Sequence, residues 1–525
     1  MIEIKALRTS LKFILELGQM NRKKIIAFIL FTLGLLSLTP MTYAVKFNTE
    51  ASIREEVIYD ILIDRFNNYE QAINNEVNID DPFAYHGGDF QGITAMLDTL
   101  QTYGFTAISL SPVMKNAPKG YHGYWIEDFY EVEETFGTIE DLRELIDEAH
   151  DRGMKVFIEF VPNYVAKSSL LVEEKSKENW FKEVTLEQKD ATKWLEEVVQ
   201  FNHEEEAVRQ FLIEVALYWM EELAIDGYML HAVDQADLVF IEQLTKAIKE
   251  KDPEFFLLAS SLQDDSLDAY CEVDTIDALT NEALRTKIVD VFAQVGTPVK
   301  QLSDSLAQLP CDKVIYTVDH KNSPRFSQVV AEGGRNAITT WKLALLFMYA
   351  SPGVPLLYQG SEVPMYGAGF PENQQLVDFI SADPDFKQVF ERLSAAKKRF
   401  PALSHGTMEE IAVDEGFSLF KREYEGEIIY FAINNDSQSR YVTLDELEGD
   451  VQLRGLFYDD TIRPNNKGEF YIGLDRETAE IFVIEENIGI NWFFIVMVSL
   501  VMLIFVLGVF YLSMKQRQRE KAEKI

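Results

Sequence analysis

The chain has 525 residues, a formal net charge of -37, and 47% hydrophobic and 12% aromatic residues. That length and apolar content suffice for one large globular domain plus a smaller one, and they exclude a disordered chain. The acidity excludes nucleic acid as a partner, because a phosphate backbone needs a basic face, and it also serves solubility.

From the N-terminus, Asn21-Arg22-Lys23-Lys24 precedes an apolar run (residues 25–38), then Pro40 and Thr42-Tyr43-Ala44. This is the order of a secretory signal peptide, so residues 1–44 read as a signal peptide or an uncleaved anchor, with Met20 as an alternative start. Residues 56–66 (EVIYDILIDRF) read as a strand rich in β-branched and aromatic residues. After a polar loop and His86-Gly87-Gly88-Asp89, residues 92–103 show helical spacing, and residues 105–112 (FTAISLSP) form a second strand. A helix at 139–152 and a third strand at 155–163 (KVFIEFVPN) follow, then a charged insert at 166–201 and a helix at 204–223. The fourth strand is Asp226-Gly227-Tyr228-Met229-Leu230-His231-Ala232-Val233-Asp234, followed by a helix at 238–250. Residues 255–260 (FFLLAS) give the fifth strand, 269–295 a weaker strand–helix unit, 313–319 the seventh strand, 336–349 a helix and 354–359 (VPLLYQ) the eighth strand.

Strands alternating with helices imply a parallel sheet, and eight such units fit a closed (β/α)8 barrel over residues 50–399, with its chemistry at the C-terminal ends of the strands. From residue 400 to 487 short strands with turn residues predict an antiparallel β-sandwich, with strands at 417–420, 428–433, 440–442, 451–453, 469–472 and 479–484. Residues 492–512 are uncharged and long enough for about 30 Å of hydrocarbon. The basic tail 513–525 then predicts a single-pass, cell-membrane protein with an extracellular body and a cytoplasmic C-terminus. Cys271 and Cys311 show no metal-ligand spacing; they read either as a pair or as two buried thiols.

Taken together, Ile63-Asp64-Arg65-Phe66, His86-Gly87-Gly88-Asp89, the loop from Gly120 to Trp125, Phe136-Gly137, Val161-Pro162-Asn163, Asp226-Gly227 and Ser323-Pro324-Arg325-Phe326 resemble the α-amylase family, glycoside hydrolase family 13. The resemblance covers residues 56–486 and implies the same barrel, a short insert after the third strand and a C-terminal β-sandwich. It also implies a nucleophilic Asp at position 231, an acid/base Glu at 260 and a third carboxylate at 322. This chain has His231, Ser260 and Asn322 there, and Met229 where the family has Arg. The third-strand motif runs from Glu159 to Asn163-Tyr164 and lacks its terminal His, while Lys321 stands before Asn322.

Retaining glycoside hydrolysis needs two carboxyl groups about 5 Å apart. Serine cannot supply the acid, and a lysine beside a developing oxocarbenium ion has the wrong sign. The expected function is therefore a catalytically silent, membrane-anchored surface protein that binds a glycan or a membrane-protein partner. The alternative is an active α-glucan hydrolase or transglycosylase with relocated carboxylates, for which Asp319 and Asp234 are the nearest and Asp264 and Asp265 lie further into a loop. By resemblance, His122 and Tyr124 wall a sugar subsite, Asp319 contacts substrate, and Asn163 ligates a structural calcium.

Overall fold

The computed structural model describes residues 52–69, 77–184, 190–262, 268–487 and 492–522. The signal-peptide reading of residues 1–44, and Asp264 and Asp265, lie outside the described residues. Eight parallel strands close into a barrel in sequence order. They are β1 (Ile58–Ile61), β2 (Ala107–Leu110), β3 (Lys155–Phe160), β4 (Gly227–Leu230), β5 (Phe256–Ala259), β6 (Ala278–Thr280), β7 (Val314–Tyr316) and β8 (Val354–Tyr358).

The helices between them begin where the sequence supplies caps. Asp89 accepts from the Gly92 amide at the start of α1 (Phe90–Tyr103), and Thr138 and Asp141 form a reciprocal capping box on α2 (Ile139–Asp151). α3 (Glu206–Glu222) follows β3, and Asp237 caps α4 (Leu238–Lys251). Asn281 caps α5 (Glu282–Ala293), and Asn336 caps α6 (Ala337–Ala350). α7 (Pro384–Arg399) has Asp383 as cap and proline in its first turn. Each such cap satisfies an amide that the helix leaves open, worth about 1 kcal/mol.

Side-chain alternation along the strands divides the barrel interior into layers. Ile58, Phe157, Met229, Phe256, Leu258, Ala278, Ile315, Val354 and Leu356 form one buried apolar cluster inside it. Two residues on from Ile58 and Phe157, on the same face, come Asp60 and Glu159. The interior therefore changes from apolar to charged toward the C-terminal ends of the strands. Gly227 opens β4 where a Cβ would stand 2.4 Å from the Phe256 carbonyl and 2.8 Å from the Phe157 ring, so only glycine lets these strands approach.

The His86-Gly87-Gly88-Asp89 motif has a structural cause. The Asp64 carboxylate accepts from the amides of His86 (2.9 Å) and Gly87 (3.0 Å), and Gly87 has φ 89°. A Cβ on Gly88 would lie 2.0 Å from the Ile63 carbonyl. Between β3 and α3 the chain forms a small three-stranded sheet from Tyr164–Ala166, Phe181–Lys182 and Val198–Phe201.

The C-terminal part is antiparallel. β9 (Thr407–Asp414), β10 (Phe417–Tyr424), β11 (Glu427–Asn434), β13 (Val451–Gly455), β14 (Thr461–Ile462) and β16 (Thr478–Glu486) make a six-stranded sheet, and β12 (Arg440–Leu444) pairs with β15 (Phe470–Leu474). Phe417, Leu419, Tyr430, Leu453, Ile472 and Phe482 fill the core between them. Cys271 and Cys311 are disulfide-bonded, with Cα atoms 5.7 Å apart.

The expected C-terminal membrane span is corrected. Residues 492–512 do lie in a helix, α8 (Trp492–Ala522), but it runs on into the Lys- and Arg-bearing tail rather than ending with the apolar residues. Among the described residues no helix is long and apolar enough to cross a membrane. The single-pass, cell-membrane localisation drawn from that span is withdrawn with it.

Candidate active site

A cavity of about 230 Å³ opens at the C-terminal ends of the strands, and His231, Ser260 and Asn322 all line it. Three carboxyl groups share its wall: Asp60 at the end of β1, Glu159 at the end of β3 and Glu282 at the start of α5. Each is held by cations.

Glu159 is the centre of the arrangement and is 3% exposed. One carboxylate oxygen accepts from His231 Nδ1 at 2.7 Å and the other from Lys321 Nζ at 2.6 Å, while the Tyr124 hydroxyl bridges both at 3.1 Å. Burial alone would raise its pKa, but Lys321 and His231 together hold it down to about 2. Lys321 is pushed the opposite way: burial would neutralise the amine, yet Asp60, 3.8 Å away, and Glu159 keep it charged well above the usual lysine range. Burial raises the Asp60 carboxyl, against the pull of Lys321.

The turn that presents His231 is fixed from behind. The His231 amide donates to the Phe160 carbonyl (2.8 Å), continuing the β3–β4 ladder by one residue. Ala232 then adopts a left-handed conformation, φ 51°. Asn163 Nδ2 ties that turn down by donating to the carbonyls of His231 (3.0 Å) and Ala232 (2.7 Å). The ring of Tyr124 lies 4.5 Å from that of His231 and stacks on Trp194 at 4.8 Å.

At the cavity mouth Glu282 joins Arg285 and His320. Burial would raise its carboxyl, but the bonds from His320 and Arg285 hold it down to about 2.

Other residues singled out from the sequence fall elsewhere. His122 is buried behind the cavity, its ring stacked 5.4 Å from Tyr124 and its Nδ1 accepting from the Tyr124 amide; burial lowers its pKa to about 3. Tyr124 is itself buried and turned toward Glu159, so neither residue borders the cavity. Asp319 accepts from the Phe326 amide at 3.0 Å and from the Ser361 hydroxyl at 3.3 Å, and Asp234 accepts from the Leu262 amide at 2.7 Å. Both carboxylates hold loops, and the cavity wall has neither. Asn163 keeps a buried Oδ1 without a partner, which suits a cation ligand. Among the described residues no three His, Cys, Asp or Glu side chains gather to hold a metal ion.

The sequence reading gave no role to Asp60, Glu282 or Arg285, and treated Glu159 and Lys321 only as departures from a motif. The available signal was the strand period, which places Asp60 two residues beyond the inward Ile58.

A closed barrel with a carboxylate-lined cleft at its C-terminal mouth defines a (β/α)8 enzyme architecture. The family model for the α-amylase catalytic domain matches residues 60–406, and that for the α-amylase C-terminal domain matches residues 406–482. The chain belongs to the α-amylase family. A solved Anoxybacillus α-amylase is 35% identical, with a TM-score of 0.78 over 84% of this chain and 100% of that one. The cyclomaltodextrinase of Thermoanaerobacter pseudethanolicus is 26% identical over 75% of this chain and 72% of its own length. The beta/alpha-amylase of Paenibacillus polymyxa is 28% identical over 85% of this chain, which spans only 39% of that larger protein.

These relatives are named as enzymes, and the cleft retains carboxylates. The expectation of a silent pseudoenzyme serving as a membrane-anchored scaffold is therefore corrected.

Proposed function

We propose that the chain is an α-glucan hydrolase or transglycosylase whose working carboxyl groups have moved away from the family positions, which here hold His231, Ser260 and Asn322. The observation that carries this reading is the buried Glu159, a carboxylate kept anionic by Lys321 and His231 on the wall of the cleft. A permanently charged carboxylate of low pKa provides the electrostatic stabilisation an oxocarbenium-like transition state needs. Asp60 is the second carboxyl group on that wall, 3.8 Å from Lys321, where burial raises its pKa against the pull of the lysine. The chemistry then comes from β1 and β3 rather than from β4, β5 and the loop after β7.

The test is release of reducing ends from maltooligosaccharides, starch and cyclomaltodextrins by the purified full chain, beside Glu159→Gln. The expected result is turnover on at least one α-glucan that falls by at least about 10²-fold in the variant. Absence of turnover on all of them, by protein that is folded, would overturn the reading.

A further inference from the structure

A second cavity, of about 400 Å³, shares no lining residue with the cleft. Its floor is the strand Ile126–Val132, which follows the loop carrying Tyr124, and one wall is the insert helix Leu170–Glu173. Both are tied to the fold. Trp219 Nε1 on α3 donates to the Phe129 carbonyl (2.8 Å), and Ser169 Oγ donates to the Glu127 carbonyl (2.7 Å), joining insert to strand. Tyr130 meets Phe211 and Tyr218 edge to face, with ring centres 6.3 and 5.0 Å away, yet stays 41% exposed. On the insert side Leu170 is 78% exposed. The cavity therefore has preformed walls with two apolar faces open to solvent.

Its polar lining is acidic. Lys115 is engaged by Glu131 (2.7 Å) and Glu174 by Lys177 (2.6 Å), while among the described residues Glu127 and Asp128 have no ion-pair partner. Asp128 Oδ1 accepts from the Tyr130 amide at 2.8 Å, which fixes the backbone that presents the ring. Two unneutralised carboxylates repel an anion. A lone cation would leave the faces of Tyr130 and Leu170 unused. A neutral sugar uses both halves: its C–H faces lie on the apolar side chains, and its hydroxyls donate to the carboxylates. Resting on the α-glucan reading above, we infer that this cavity is a second glucan-binding site, separate from the cleft, that holds a short stretch of a longer chain. Tethering one part of a polymer there raises the effective concentration of the rest at the cleft.

The experiment is amide hydrogen exchange on the full chain with and without saturating maltotriose, read by mass spectrometry. The expected result is protection of peptides covering residues 126–132 and 168–174, in addition to those at the cleft. In Tyr130→Ala the first set should need about tenfold more sugar to be protected, while protection at the cleft persists. Glu127→Gln, which removes an acceptor and no packing, should shift the same peptides in the same direction by a few-fold. Protection confined to the cleft would overturn the inference and leave the α-glucan reading intact. Loss of protection at the cleft in parallel with residues 126–132 in either variant would overturn the claim of a separate site. Protection of 126–132 by a chain that turns over no α-glucan would uphold this site and overturn the enzymatic reading. No protection anywhere, in folded protein, would overturn the inference.

Discussion

Among the described residues two lysines are buried, and the protein treats them in opposite ways. Lys321, at the C-terminal face of the barrel, meets Glu159 at 2.6 Å and Asp60 at 3.8 Å, and its pKa is raised. Lys397, on α7, has the Gly353 carbonyl at 3.5 Å and, among the described residues, no ion pair; burial lowers its pKa to about 7. Its neighbour Arg422 donates to the carbonyls of Thr407 and Gly406, at 3.1 and 2.8 Å, rather than to a carboxylate. Desolvation acts in the same direction on both amines. The difference is that carboxylates answer it at one end of the barrel and backbone carbonyls at the other. A charge retained at the cost of burying its partners marks the face where charge is used.

The largest effect should come from removing the partner. Glu159→Gln leaves Lys321 buried with only the longer Asp60 contact, and breaking a buried pair by removing one partner costs about 3–5 kcal/mol, read by urea unfolding at pH 7. The folded pKa of Glu159, about 2, lies below its unfolded value, so its contribution is present above about pH 4.5 and is lost as pH falls toward 2. The variant should therefore lose that part of the acid-side slope.

Lys397→Met should do the reverse. With a folded pKa near 7 and an unfolded one near 10.5, the unfolded chain binds more protons between those values, so this group makes stability rise with pH across that window. Below pH 7 its burial cost is fully present. The methionine variant should be more stable at pH 6 by on the order of 2–4 kcal/mol and should show a flatter profile up to pH 10. Unfolding curves at pH 6 and pH 9.5 check both points.

Cys271 and Cys311 close a loop that contains β6 and α5, which carry Thr280, Asn281 and Glu282 on the cavity wall. Reduction, or replacement of both cysteines by serine, should lower stability by about 2–4 kcal/mol in a thermal unfolding scan. The smallest effect belongs to a carboxylate that only holds a loop. Asp319→Asn should cost about 1 kcal/mol by weakening the bond to the Phe326 amide, with turnover kept within about threefold.

Much of the barrel was legible because its strands are short apolar runs and, α3 apart, its helices α1 to α7 begin at Asp, Asn or Thr caps. β6 was the faint one, since Ala278–Thr280 offers only three residues of pattern. β9 went unread because Thr407–Asp414 is a sheet-edge strand with acidic residues on its face. The C-terminal span was over-read: the apolar run was visible, but among the described residues no helix is long and apolar enough to cross a membrane.

In the site, the gathering of His231, Ser260 and Asn322 followed from the motif frame. The pairing of Glu159 with Lys321 joins residues 162 apart in sequence, and no local period announces such a contact. Asp60 and Glu282 were lost among 86 acidic residues, where a carboxylate facing a cleft looks like one facing solvent.

The comparison of the two faces is tested most directly by kcat/KM on maltoheptaose, measured side by side for the native chain, Glu159→Gln and Lys397→Met. The account predicts a loss of at least about 10²-fold for the first variant and a change within about threefold for the second. Equal losses in both variants, or no loss in Glu159→Gln, would contradict it.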